Sequence, residues 1–140
     1  MFNRYFLESE VRPAFVKEFI SLWSSWLGAE NVHKLDEVKE YEWARFNELL
    51  RSLAKDFVLE VANEQSQTLT KVNDIELVLS SYEESMNKSA SAFTKLVVPA
   101  LGCVISEDWD YTYIIWHQDN GAVQALAPYI SAVGLKHFPD

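Results

Sequence analysis

The stretch Tyr111-Thr112-Tyr113-Ile114-Ile115-Trp116 decides the fold class, because β-branched and aromatic side chains follow one another there without a break. Such residues are enriched in β-strands, so the stretch predicts a strand over 111–116. Upstream, alternating apolar positions predict a second strand over 101–106. The acidic run Glu107-Asp108-Trp109-Asp110 lies between the two and is predicted to be a hairpin turn.

A second hairpin is predicted at Asn120-Gly121, because both residues tolerate the positive φ of a two-residue turn. A third strand would then return over 122–127. The rival is a helix over the same stretch, but Pro128 would lie in its interior and break it. Pro128 therefore favours the first turn of a short helix over 128–133, which Gly134 would end.

Apolar residues spaced mostly three and four apart predict helices over 13–27, 37–64 and 74–88. The first of these carries the set Phe15, Val16, Phe19, Ile20, Trp23, Trp26 and Leu27, which would make both of its tryptophans core residues. Two segments stay open at this point. Residues 68–72 fit a loop or a short edge strand, and residues 93–98 fit a helix or an extended segment.

The predicted fold class is α+β, in one domain over 1–140. Three N-terminal helices would precede a small antiparallel meander of about three strands, and a short C-terminal helix would follow it. One face of such a sheet must pack on the helices to be stable.

The chain has 21 acidic and 12 basic residues, which gives a formal net charge of −9. Nucleic acids and anionic membranes repel such a chain unless its bases cluster, and here they do not. No apolar run is long enough to span a bilayer, and the N-terminus does not resemble a signal peptide. We therefore expect a cytoplasmic protein whose charge suits a basic protein partner, with no nucleic-acid or membrane partner.

Cys103 is the only cysteine, and its apolar surroundings predict a small buried side chain. No glycine-rich phosphate loop, nucleophile elbow or metal-binding helix motif is present. The sequence therefore predicts no cofactor, and an enzyme is the less favoured class.

The segment between Lys95 and Lys136 contains no Lys or Arg but four acidic residues. Trp109 lies at the predicted turn and is the one ring that we expect to be exposed. It would either anchor a partner or fold back over the sheet edge and cover it. The acidic residues could present a negative patch to a basic partner or bind a divalent cation together with His117. They could also simply belong to two solvated turns in which Asp, Glu and Asn suit the bends. The candidate binding residues are Glu107, Asp108, Trp109, Asp110, Tyr111, Tyr113, His117 and Asp119.

The favoured hypothesis is a non-enzymatic interaction module, inhibitor-like or immunity-like, that binds a basic protein surface. The alternative is a small metal-dependent hydrolase that uses His117, Asp119 and a carboxylate from a helix. Association of two copies through apolar helix surface is compatible with either hypothesis.

Overall fold

A seven-stranded antiparallel sheet crosses the protein in a computed structural model that describes residues 1–140. In chain order the elements are α1 (Phe2–Tyr5), β1 (Phe6–Leu7), β2 (Glu10–Val11), β3 (Val16–Ser21), α2 (Gly28–Asn31), α3 (Glu40–Asp56), β4 (Glu60–Asn63), β5 (Thr68–Lys71), α4 (Tyr82–Met86), β6 (Lys95–Val98), β7 (Cys103–Asp108), β8 (Thr112–His117), α5 (Asn120–Ala132) and β9 (Lys136–Pro139). Short 3-10 turns cover Val32–Glu37, Ile75–Leu77 and Ala90–Ala92. The strand order is β5-β4-β6-β7-β8-β3-β9, and β1 and β2 form a separate hairpin.

The protein is α+β, but the predicted arrangement of three N-terminal helices before three strands is wrong. Helices and strands are interleaved along the chain, and the sheet draws strands from both halves. The predicted hairpin at the acidic turn is present as β7 and β8, with Asp108 opposite Thr112. These two strands lie inside the sheet, which explains their apolar composition.

The predicted helix over 13–27 is wrong, because Val16–Ser21 forms strand β3 between β8 and β9. Phe19 lies opposite Ile114 on one face of the sheet, and the next residue, Ile20, belongs to the core on the other face. A strand buried on both faces has consecutive apolar residues. Local spacing did not distinguish that pattern from one stripe of a helix.

The predicted helix over 37–64 ends early, and β4 follows it at Glu60–Asn63. The backbone of Phe57 is extended and ends α3. The predicted helix over 74–88 is also wrong, since it divides into the Ile75–Leu77 turn and α4. Ser81 starts α4 afresh because its side chain accepts a hydrogen bond from the Glu84 backbone N–H.

Both segments that the sequence left open are extended. Thr68–Lys71 is the edge strand β5, paired with β4, and Lys95–Val98 is β6, between β4 and β7. With β3, β4 and β9 they bring the sheet to seven strands, more than twice the predicted number.

The predicted hairpin at Asn120-Gly121 is wrong, and so is the third strand over 122–127, because α5 covers Asn120–Ala132. Asp119 caps this helix, and Ala122, Leu126 and Ile130 bury one of its faces. Pro128 lies inside the helix on an exposed position. Water can therefore solvate the carbonyl that loses its N–H partner, and burial of the apolar face outweighs the missing bond.

The sheet is covered on both faces by different parts of the chain. Helices α3 and α5 pack on one face, where Phe46, Leu53 and Leu126 join Ile105 and Ile115 in the larger core. The N-terminal segment covers part of the other face, with a smaller core that holds Phe2, Tyr5, Phe6, Phe15, Val97 and Val104. None of the helices has both the length and the apolar character needed to cross a membrane.

Candidate functional site

A groove of about 330 Å³ lies beside the β7–β8 turn. It brings together six of the eight predicted binding residues: Glu107, Asp108, Trp109, Asp110, Tyr111 and Tyr113. Its other lining residues are Leu35, Asp36, Trp43, Phe46, Ser85, Met86, Phe93 and Thr112. We refer to it as the Trp109 groove. Its walls are chiefly aromatic and acidic.

The turn that forms one wall has an uncommon backbone conformation. Asp110 and Tyr111 have φ values of 60° and 57°, in the left-handed region that most side chains avoid. Asp tolerates this region better than most residues, and the Thr112 hydroxyl donates to the Asp110 carbonyl oxygen at 3.1 Å. The turn therefore presents Trp109 and Asp110 side by side in a defined geometry.

Trp109 is 55% exposed, which confirms the predicted exposure. Its ring meets Phe93 edge to face, with centroids 4.8 Å apart. It is not the only exposed ring, because Trp26 and Tyr41 are 56% and 69% exposed. The expectation that Trp26 belongs to the core is therefore wrong.

Glu107 has a base beside it that comes from outside the base-free segment. Its Oε1 accepts hydrogen bonds from Lys88 Nζ and from the Thr94 backbone N–H, each at 2.7 Å. The Lys88 and Glu107 side chains are only 14% and 12% exposed. Lys88 comes from the loop between α4 and β6, before Lys95.

Three other carboxylates of the groove have no cationic partner. None of the ion pairs in the structure involves Asp36, Asp108 or Asp110. No Lys, Arg or His nitrogen therefore lies within 4.0 Å of their carboxylate oxygens. Burial, the neighbouring Tyr82 hydroxyl and the negative charges of Asp36 and Asp110 together raise the pKa of Tyr111 to about 12. Asp36 and Asp110 therefore act on the same part of the groove. Sequence reasoning missed Asp36, which lies some 70 positions earlier in the chain and on another element.

Tyr113 forms part of the groove floor. Its ring packs against Phe46 with centroids 4.8 Å apart. Burial, with a smaller effect of the Glu107 charge, raises its pKa well above the ordinary value. Tyr113 therefore supports the groove from below and stays neutral.

His117 and Asp119 do not line the Trp109 groove. His117 ends β8, is 5% exposed, and its Nδ1 has no hydrogen-bond partner. Asp119 Oδ1 accepts from the Gly121 backbone N–H at 2.8 Å as the cap of α5. The two residues are close in sequence because His117 ends strand β8 and Asp119 caps helix α5.

The structure contains no group of three or more His, Cys, Asp or Glu side chains that could hold a metal ion. His137 is half-buried and its Nδ1 lies 2.5 Å from Glu18 Oε2. That contact joins the edge strand β9 to β3. Cys103 is fully buried as predicted, and burial raises the pKa of its thiol to about 12.

A second groove of about 170 Å³ adjoins the first and shares Leu35, Asp110 and Thr112 with it. Its outer wall comes from the loop after β3, with Trp23, Trp26 and Leu27, and from Val32. The Trp26 ring packs edge-on against Phe19 and Phe138, with centroids 4.5 and 5.2 Å away. We refer to this second groove as the Trp26 groove. No sequence signal indicated it, because Trp23 and Trp26 were assigned to a helix core.

No family model matches the chain, and no curated protein or solved structure matches it either.

Proposed function

We propose that this protein is a non-enzymatic interaction module that binds a basic surface of another protein, as an inhibitor or immunity-like protein would. The observation that carries the proposal is the Trp109 groove. Exposed aromatic surface lies there beside Asp36, Asp108 and Asp110, which have no cationic partner within the chain.

Apolar exposure along the two grooves supports a protein partner. Trp26, Val32, Met86 and Trp109 are each more than 40% exposed and line one groove or the other. Contiguous exposed apolar surface with polar groups around it is typical of interaction sites, and tryptophan is enriched among residues that dominate binding energy. Because the grooves share a wall at Asp110, they form one elongated surface.

Charge supports a basic partner. The net charge of −9 would attract a cationic protein over a distance of about a Debye length, roughly 8 Å at physiological salt. Unpaired carboxylates at the groove would then orient the encounter and raise the association rate. Affinity would come chiefly from burial of the aromatic side chains.

The test is site-specific photo-crosslinking in the cells that make the protein. A benzophenone amino acid replaces Trp109 in one variant and Leu77 in the control, since Leu77 is 85% exposed and lies outside both grooves. We expect position 109 to crosslink one protein with a basic surface and position 77 not to crosslink it. Capture of the same proteins from both positions would contradict the proposal.

The captured protein is then purified and titrated against two charge variants. Asp108→Asn with Asp110→Asn removes two charges at the groove, and Asn tolerates the left-handed backbone at position 110. Glu8→Gln with Glu10→Gln removes two exposed charges on the β1–β2 hairpin. We expect about a tenfold loss of affinity for the first pair and little change for the second. Equal losses would show that only net charge matters.

A further inference from the structure

We infer that the Trp109 groove receives an arginine side chain of the partner. This inference rests on the proposed function and adds the chemical identity of the group that is bound.

The aromatic wall suits a planar cation. Trp109 is 55% exposed although its ring is held by the edge-to-face contact with Phe93. A guanidinium group stacks on such rings, and cation–π attraction is strongest for tryptophan. The ring is already positioned, so little side-chain freedom would be lost on binding.

The carboxylates suit a group with many hydrogen-bond donors. Asp36 comes from the Val32–Glu37 turn and Asp108 and Asp110 from the β7–β8 hairpin, and all three line the groove without a cationic partner. A guanidinium carries five N–H donors in a fixed plane and can meet a carboxylate through two parallel bonds, whereas an ammonium carries three donors at one point. Stacking on a ring with two-point contact to carboxylates therefore favours arginine over lysine.

Glu107 also lines the groove, but it is already paired with a cation of the same chain. Lys88 and the Thr94 backbone N–H already occupy Glu107 Oε1. An incoming side chain would therefore meet the three carboxylates that have no cationic partner and leave the Lys88–Glu107 pair intact. The partner's cation is thus an addition to the groove and does not replace a native contact.

The probe is Nα-acetyl-arginine methylamide, followed by NMR of the tryptophan indole N–H signals of the intact protein. The Trp109 signal is identified by its loss in Trp109→Phe. The matched probes are the citrulline compound, which has nearly the same shape without charge, and the lysine compound. We expect the arginine compound to shift the Trp109 signal in a saturable way. Lysine should bind at least fivefold more weakly, and citrulline should produce no saturable shift.

Asp108→Asn with Asp110→Asn should weaken arginine binding about tenfold, while Glu8→Gln with Glu10→Gln should leave it unchanged. Equal shifts from citrulline, equal affinity for lysine, or shifts confined to Trp26 would each overturn the inference. If a partner is crosslinked at position 109 but the arginine compound does not shift the Trp109 signal, this inference alone is contradicted. If the arginine compound shifts the Trp109 signal but no protein is crosslinked at position 109, the proposed function is contradicted instead.

Discussion

Lys88 Nζ lies 2.7 Å from Glu107 Oε1, and this mostly buried ion pair joins the loop after α4 to strand β7. Lys88 also donates to the Ser80 hydroxyl at 2.8 Å, so one ammonium group connects the sheet with residues on both sides of α4. Glu107 also lines the Trp109 groove, so the contact holds one of the groove's side chains in place.

Lys88→Met should destabilise the protein by roughly 2–3 kcal/mol, because it leaves the Glu107 carboxylate mostly buried without its cation. Urea unfolding followed by circular dichroism measures the change. The control is Arg51→Met, which breaks the pairs with Glu48 and Glu76 on the open surface and should cost less. Equal losses for the two variants would argue that the Lys88–Glu107 pair is as solvated as a surface pair.

Alkaline pH should destabilise the protein through Cys103. Burial raises the pKa of the thiol from 9.0 to about 12. The folded state therefore holds this proton more tightly than the unfolded state, and the stability is complete below pH 9 and falls as the pH rises toward 12. The contribution lost by pH 12 is on the order of 4 kcal/mol.

The matched variant is Cys103→Ala, which removes the titrating thiol. Urea midpoints between pH 8 and pH 12 should fall less steeply for this variant than for the wild-type protein. The remaining slope includes Tyr111 and Tyr113, whose raised pKa values act in the same direction above pH 10. Parallel curves for wild type and variant would contradict the thiol's role.

Removal of the α5 cap should cost about 1 kcal/mol in Asp119→Ala, because the Gly121 N–H loses its acceptor. Asp119→Asn keeps an acceptor oxygen and should cost much less. Thermal unfolding of the two variants measures the difference. If residues 119–122 formed a hairpin turn instead, the two substitutions would have similar effects.

The left-handed turn predicts that Asp110→Ala is less stable than Asp110→Asn by about 1 kcal/mol. Both variants remove the charge, but alanine is disfavoured at a φ of 60° while asparagine adopts it readily. Chemical unfolding of both proteins under one set of conditions tests this. No difference between them would mean that the turn relaxes to another conformation.

Trp109→Ala should change the free energy of unfolding by less than about 1 kcal/mol, because the ring is more than half exposed and its aromatic contact is with Phe93 alone. Trp43→Ala is the contrast, since Trp43 is 9% exposed and should cost about 3–5 kcal/mol. Similar losses would indicate that Trp109 supports the fold and is a poor probe of binding.

Several features of the site followed from adjacent residues. The β7–β8 hairpin, the acidic turn and the exposure of Trp109 all lie within 103–117, where one strand pattern, one turn and the next strand follow directly. Burial of Cys103 followed in the same way from its apolar neighbours. Each of these properties depends on residues close together in the chain.

The missed features depend on distant residues. Asp36 reaches the groove from the turn before α3, Lys88 reaches Glu107 from the loop before β6, and Trp26 contacts Phe138 of β9. The spacing of residue types along the chain does not show which distant side chains come into contact in the fold. The misassigned β3 has the same cause, because its pairing with β8 and β9 spans about a hundred residues.

The amino-acid order by itself determined the acidic character of the chain, the central hairpin and the cluster of carboxylates around an exposed tryptophan. Only the tertiary structure decided which carboxylates stay free, which rings line a groove, and that a stretch with helical spacing is a buried strand. The physical reason is that charge and turn preference belong to the residues themselves. Burial and ion pairing depend on the neighbours that the fold places around each residue.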